Sequence, residues 1–307
     1  MSAIDSISVG FDALKRNLVP LYAVGAVIAV GGGLVVGLQH APMFGFLLGL
    51  LVGGIWLFVE PFVAGGYLAM LDEAVDGETD YDTLKEEGKE NYFDLLVGRI
   101  LVLVAEYGLW FLVGVGIFVL FFVFMGAAIG AAAADVPALL FGTGAIVLVG
   151  IFVLVVGAWL LTIVAGFFVQ FYAVAIVLED EDFVQGFLRS AGVVKENPLS
   201  VLGYSVAVWV IQLLVAIPTF AAISLRDLGR NLLYDVGEGE IGEGTPIEDV
   251  IGEGIVGESA TEFALLAEGF GFGMFFIILV TLFLMRTLTI PILRAYHVAF
   301  YRSITGR

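Results

Sequence analysis

The sequence predicts an all-α polytopic membrane protein, with six transmembrane helices paired as three helical hairpins and short amphipathic helices at the interface. Three observations carry that expectation. Hydrophobic residues make up 60% of the 307 positions and charged residues only 14%, with a mean hydropathy of +1.05, too apolar for a soluble domain of this length. The apolar residues are gathered into six runs, each long enough for the about 20 helical residues that cross a hydrocarbon core. The charge is gathered as well: of a net −18, eleven acidic against two basic residues fall between Leu225 and Glu268, and nine against two between Asp72 and Glu90. A soluble enzyme and a disordered chain are thereby excluded, and so is a nucleic-acid partner, whose phosphates such a surface would repel. Cysteine is absent, so disulfide and thiol chemistry are excluded too.

The elements follow in order. Ile4, Ile7, Phe11, Leu14 and Leu18 recur at steps of three and four, with Asp5, Asp12, Lys15 and Arg16 turned away, which predicts an interfacial helix; a plain extension of the first span is the alternative. Two aspartates in this leader and the lack of an A-x-A site argue against a cleavable signal peptide. The expected spans are about 18–38, 44–71, 92–125, 138–178, 199–224 and 269–293, within one integral membrane domain over 1–307. The fourth run, 138–178, has no charge and no proline; as one helix it would measure roughly 60 Å, twice the core thickness. Charge bias settles its count. With six spans and an inside N-terminus, Lys15, Arg16, Lys85, Lys89, Arg189, Lys195, Arg294, Arg302 and Arg307 face the cytoplasm, and only Arg226 and Arg230 face outward. Splitting the fourth run would export several of these residues against the positive-inside rule. Both termini are therefore expected in the cytoplasm. The segment 225–268, where Ile241-Gly-Glu-Gly recurs as Ile251-Gly-Glu-Gly, reads as an acidic, partly flexible external loop.

A pattern repeats three times. Lys15-Arg16-Asn17, Lys89-Glu90-Asn91 and Lys195-Glu196-Asn197 each stand directly before an odd-numbered span and after a partly amphipathic segment. The unit reads as surface helix, basic residue then asparagine, span out, span back. Asparagine at such a point can cap or break the backbone where the chain turns into the bilayer. Convergent helix-start chemistry is the alternative to a true structural repeat.

On Pro61-Phe-Val-Ala-Gly-Gly-Tyr-Leu-Ala-Met-Leu71, the acidic loop with Gly77, and Asn91-Tyr-Phe-Asp-Leu95, the chain resembles a family of uncharacterised haloarchaeal six-span membrane proteins. Phe171-Tyr-Ala-Val-Ala-Ile-Val-Leu-Glu-Asp-Glu-Asp-Phe183, Phe187-Leu-Arg-Ser190 and Lys195-Glu-Asn-Pro198 carry the same resemblance. More distantly it is similar to YciC-type proteins and to the membrane domain of some glycerophosphoryl diester phosphodiesterases. The resemblance implies the fold and little about activity, because the hydrolase domain has no counterpart in this chain.

Chemistry-bearing motifs are sparse. The two histidines, His40 and His297, fall on opposite sides of the expected membrane, and no P-loop pattern occurs; no metal site, cofactor or enzymatic activity is expected. Polar residues inside spans are the sharpest candidates, since intramembrane charge is costly. Counted from the cytoplasmic ends, Arg99, Gln170 and Arg286 lie at about 10–12 Å and Glu60, Glu106 and Gln212 at about 18–21 Å. This predicts a shallow arginine tier and a deeper glutamate tier. Such a network either fixes helix packing or lines a polar pathway. Gly33 and Gly37 on the first span and Gly45, Gly49 and Gly53 on the second form small-residue ridges expected to close the first hairpin.

These observations lead to the expectation of a plasma-membrane protein without enzymatic chemistry, partnered by the bilayer and acting as a scaffold or accessory to other membrane proteins. A small-solute or ion transporter using the intramembrane charges is the competing expectation, and a lipid-interacting protein a third. The acidic loops and the scarcity of lysine, four against nine arginines, are expected of a halophile, since molar salt screens charge over about 3 Å.

Overall fold

Asparagine marks three places where a short helix meets a long one. In the computed structural model, which describes residues 3–39, 45–134, 136–239 and 280–307, the helices are α1 (Ala3–Arg16), α2 (Leu18–Gln39), α3 (Gly45–Asp76), α4 (Tyr81–Glu90) and α5 (Tyr92–Ala134). They continue with α6 (Pro137–Val169), α7 (Tyr172–Glu179), α8 (Phe183–Glu196), α9 (Pro198–Gly239) and a terminal helix α10 over 280–305. Five helices, α2, α3, α5, α6 and α9, are long and apolar enough to cross a membrane.

The sequence triplets have one geometry. Asn17, Asn91 and Asn197 occupy the single residue between α1 and α2, α4 and α5, and α8 and α9. In each, the backbone N–H donates to the carbonyl four residues back, at 3.1, 3.0 and 3.0 Å to Ala13, Glu87 and Val193. The side-chain Nδ2 donates to the same carbonyl, at 3.2, 3.1 and 3.4 Å. The asparagine carbonyl then accepts from the residue four ahead, Leu21, Leu95 or Val201, and all three are buried. The amide thus gives that last-turn carbonyl a second donor beside the asparagine's own N–H, while the next helix begins without losing register. Aspartates start α4 and α8: Asp80 accepts from the N–H groups of Asp82 and Thr83, and Asp182 from that of Gln185, as N-caps do.

Seven residues before each asparagine, the surface helix meets a neighbouring long helix at close range. Gly10 of α1 lies against the Ala295 and Tyr296 backbone of α10, where an added Cβ would sit 2.9 Å from the Ala295 carbonyl carbon. A methyl group on Gly66 of α3 would run into the Leu84 carbonyl of α4. Ser190 of α8 accepts from the Phe171 N–H at 3.0 Å and donates to the Phe168 carbonyl at 2.7 Å, at the end of α6. Each surface helix therefore seats on a long helix that precedes it in the cycle, and α1 closes the cycle by seating on the last.

This end of the molecule holds the core. Tyr67, Leu68, Met70 and Leu71 from α3, Phe171, Val174 and Ile176 from the α6–α7 turn and α7, Val193 from α8, and Tyr296, Phe300 and Tyr301 from α10 are fully buried; burying a side chain of this size stabilises by about 1.5–3 kcal/mol. Ion pairs and polar bonds bind its rim. Arg302 reaches the Asp72 carbonyl at 3.0 Å and Asp76 at 2.8 Å, Arg16 caps the carbonyls of Ala74 and Val75, and Glu179 takes Arg189 at 2.8 Å and the Tyr301 hydroxyl at 2.7 Å. Ser6 and Ser303 meet at 3.1 Å, so α1 and the end of α10 lie at the same end of the protein.

Several expectations change. The run 138–178 is not one straight element: it turns at Gln170–Phe171, leaving α6 as the long helix and α7 folded into the core. The turn has a cause outside the run, the Ser190 hydroxyl inserted between the Phe168 carbonyl and the Phe171 N–H. The segment 225–239, expected as loop, continues α9; the rest of the acidic segment, 240–268, and residues 269–279 of the sixth expected span lie outside the described residues. Closure of α2 on α3 uses Gly31, which receives the face of Trp56, and Gly53, whose added Cβ would meet Val35 at 3.5 Å, whereas Gly33 faces open space.

Candidate polar sites within the bundle

The six polar residues expected inside the spans are used in different ways. Glu60, beside the in-helix Pro61 of α3, pairs across to Arg99 of α5 at 3.4 Å, with both side chains partly covered. The long arginine side chain spans the difference in depth that separated them along the sequence. The Arg99 Nε is buried and makes no hydrogen bond among the described residues, so the pair is an electrostatic contact while the rest of the arginine side chain stays partly exposed. Glu106, two turns further along α5, is exposed on the outer face of the bundle.

Gln170 is spent at the helix turn: its Nε2 donates to the Phe167 carbonyl at 2.9 Å, and its Oε1 accepts from Ser205 of α9 at 3.2 Å. Gln212 of α9 and Arg286 of α10 share a groove of about 450 Å³ whose other walls are mostly apolar. One residue of the candidate set is thus paired by charge with another, one holds a turn, two share a groove, and Glu106 stands apart.

Other polar groups matter that the sequence did not single out. His297 bonds through Nδ1 to the Tyr204 hydroxyl and stacks on Phe171, ring centroids 4.9 Å apart; Tyr204 in turn stacks on Phe300 at 4.6 Å. The Tyr67 and Tyr296 hydroxyls are buried without a hydrogen-bond partner among the described residues. Arg294 lies within electrostatic reach of Tyr67, Tyr172, Tyr204 and His297. Its position three residues after Pro291 was the available signal, but a purely cytoplasmic charge was the simpler reading.

At the rim, a cavity of about 490 Å³ is lined by Asp72, Glu73, Glu86, Glu87 and Asp180. Burial, together with the neighbouring charges of Glu90 and Asp180, raises Glu87 above the ordinary carboxylate range, against a lowering bond from Asn91. Glu73 accepts from Thr79 and Thr83, which ties the acidic rim to the α3–α4 connection. Among the described residues no group of three or more metal-ligating side chains is arranged to hold an ion.

Long apolar helices with their lipid-sized surface exposed, joined at one end by a buried core, define a multi-pass α-helical membrane protein. The chain matches the domain of unknown function DUF7847 over residues 1–304 and belongs to that family. No curated protein and no solved structure matches it.

Proposed function

We propose that this protein is a non-enzymatic scaffold or accessory component of the plasma membrane, with six spans in three hairpins and both termini in the cytoplasm. The observation that carries the reading is the use to which its polar groups are put. Glu60 is paired with Arg99, Gln170 is hydrogen-bonded to the Phe167 carbonyl and Ser205, and the asparagines, Ser190 and Glu179 hold helices together. A conduction path would need such groups left free and adjacent, and the two charged candidates that form no ion pair among the described residues, Glu106 and Arg286, stand on different helices, one exposed on α5 and one in the α9–α10 groove. The long apolar pair α5–α6 supports the scaffold role. Its members meet where Gly116 faces Leu154 and Gly150 faces Leu120, while Phe111, Phe118, Phe121, Phe122 and Phe152 stay exposed. At 43 residues, α5 measures about 64 Å, twice the hydrocarbon thickness, which offers side surface to other membrane proteins.

The orientation rests on basic residues gathered at the packed end, where Lys15, Arg16, Lys89, Arg189, Lys195 and Arg302 lie on or beside the surface helices. A reporter fused after Glu181 reads as cytoplasmic under this proposal; an external reading overturns the topology. The functional test is flux. Protein reconstituted in liposomes and loaded with a pH-sensitive dye shows no proton, sodium or potassium flux above empty vesicles. A flux abolished by Glu60→Gln or Glu106→Gln in a variant that stays folded would establish the transporter reading instead.

A further inference from the structure

We propose that the groove between α9 and α10 binds an anionic phospholipid, with Arg286 holding the headgroup phosphate. The argument starts from charge. Arg99, Arg189 and Arg302 each face a carboxylate within 4 Å, but no ion pair or hydrogen bond to Arg286 forms among the described residues. A cation placed in an apolar bundle without a counter-charge is costly, and such residues pair with an anion from elsewhere or face a water-filled cavity. Among the described residues Arg286 faces no carboxylate: Val215, Phe220, Leu282 and Leu293 wall its groove, and Gln212 and Thr289 are the other polar side chains that line it.

Backing comes from the opposite side. Gly32 of α2 lies behind the guanidinium, and a Cβ there would stand 3.0 Å from the Arg286 Nη1. A larger residue at this position would push the guanidinium away from α2, so the glycine leaves the arginine its place along the α2–α10 seam. A guanidinium is a planar fork that matches phosphate oxygens two at a time, and the Gln212 amide adds donors in the same groove.

The surroundings choose a lipid over a soluble anion. The outer faces of both groove helices are apolar and exposed at Leu213, Leu214 and Ile217 of α9 and Leu284 and Leu288 of α10, so the groove opens sideways into the bilayer. Gly32 stands about 22 Å along α2 from the Asn17 junction but only about 10 Å from Gln39 at its other end, so the guanidinium lies toward the end of the helices away from the packed core, where a long side chain reaches headgroup level. A volume of about 450 Å³ is of the size that takes a ligand and accommodates an acyl chain along Ile290 and Leu293. This inference does not rest on the scaffold reading; a lipid-filled groove is compatible with a scaffold or a transporter.

The test is native mass spectrometry of purified full-length protein offered equal phosphatidylglycerol and phosphatidylcholine in mild detergent. The wild type is expected to retain phosphatidylglycerol at least fivefold over phosphatidylcholine. Arg286→Gln is expected to bring that ratio near one, and Arg286→Lys to keep part of it. Ala216→Phe, which fills the groove and leaves the arginine, is expected to lower phosphatidylglycerol retention at least fivefold; should Arg286→Gln fail to fold, this variant decides. A hundredfold excess of inorganic phosphate leaves lipid retention unchanged. Unchanged ratios in both folded variants, or displacement of the lipid by inorganic phosphate alone, would overturn the proposal.

Discussion

The two ends of this bundle are built from similar residues by different rules. At the packed end, glycines are points of contact: Gly66 meets the Leu84 backbone, Gly10 the Ala295 backbone and Gly88 the Phe62 carbonyl. Toward the other end, Gly31, Gly116 and Gly150 still meet side chains of a neighbouring helix, but Gly108, Gly114, Gly126, Gly142 and Gly157 have nothing among the described residues near the position a Cβ would take. Polar groups divide in the same way. Asn17, Asn91 and Ser190 are buried and bonded at the packed end, whereas Arg286 sits in the mostly apolar α9–α10 groove with no ion pair among the described residues. The lesson is physical. Where protein packs on protein, close approach and satisfied hydrogen bonds are required. Where a helix faces lipid, hydrophobicity and length suffice, so a glycine there is an uncommitted residue.

The comparison breaks most easily at its glycines. Gly66→Ala places a methyl group against the Leu84 backbone, which cannot yield without displacing α4, and is expected to cost about 3 kcal/mol. Gly157→Ala, with open space around it, is expected to be neutral or to stabilise by up to about 1 kcal/mol through helix propensity. Thermal unfolding in one detergent compares the two, and equal effects would remove the distinction between the ends. Ser190→Ala leaves the buried Phe171 N–H and Phe168 carbonyl without their shared partner; a loss of about 1–3 kcal/mol is expected, with amide exchange rising first at Phe171.

The asparagine junctions sharpen the comparison within the packed end. Each Asn→Ala change is expected to cost about 1 kcal/mol, with Asn17→Ala the most damaging. Asn17 also donates to the Gly77 carbonyl at 2.9 Å and accepts from the Thr79 N–H at 3.0 Å, clamping the loop after α3. If Asn197→Ala were the worst of the three, the clamp would not matter. The smallest effect is expected at Glu87. Its folded pKa is raised, by burial first and then by Glu90 and Asp180. Its ionised form therefore opposes folding above that pKa, and the penalty fades as pH falls through the folded value toward the unfolded one. Glu87→Gln is expected to stabilise at neutral pH by on the order of 0.5 kcal/mol, after discounting for solvent screening. The gain should vanish in acid, as followed by melting across pH.

Much of this was legible in the sequence because it is local. The apolar runs, the amphipathic spacing of α1 and the K-x-N triplets are properties of neighbouring residues, and the structure places an asparagine at each junction. What could not be read depends on partners far along the chain. The turn at Gln170–Phe171 has no glycine, proline or charge to announce it; its cause is a serine about twenty residues later, on another helix. Counting depth along single spans separated Glu60 from Arg99, because a count ignores how far a side chain reaches and where α3 ends. The same count grouped Arg286 with Arg99, although one is paired and the other is not.

Three surface-helix units close on one another, with α1 seated on the terminal helix. Because the natural chain has no cysteine, the closure can be trapped directly. Ser6 and Ser303, whose hydroxyl oxygens lie 3.1 Å apart, are replaced together by cysteine in membranes and oxidised mildly. A closed cycle gives an intramolecular disulfide in the double variant, seen as a reducible mobility shift that either single variant lacks. If the double variant stays reduced under oxidation that links a control pair, α1 does not seat on α10 and the cycle is open.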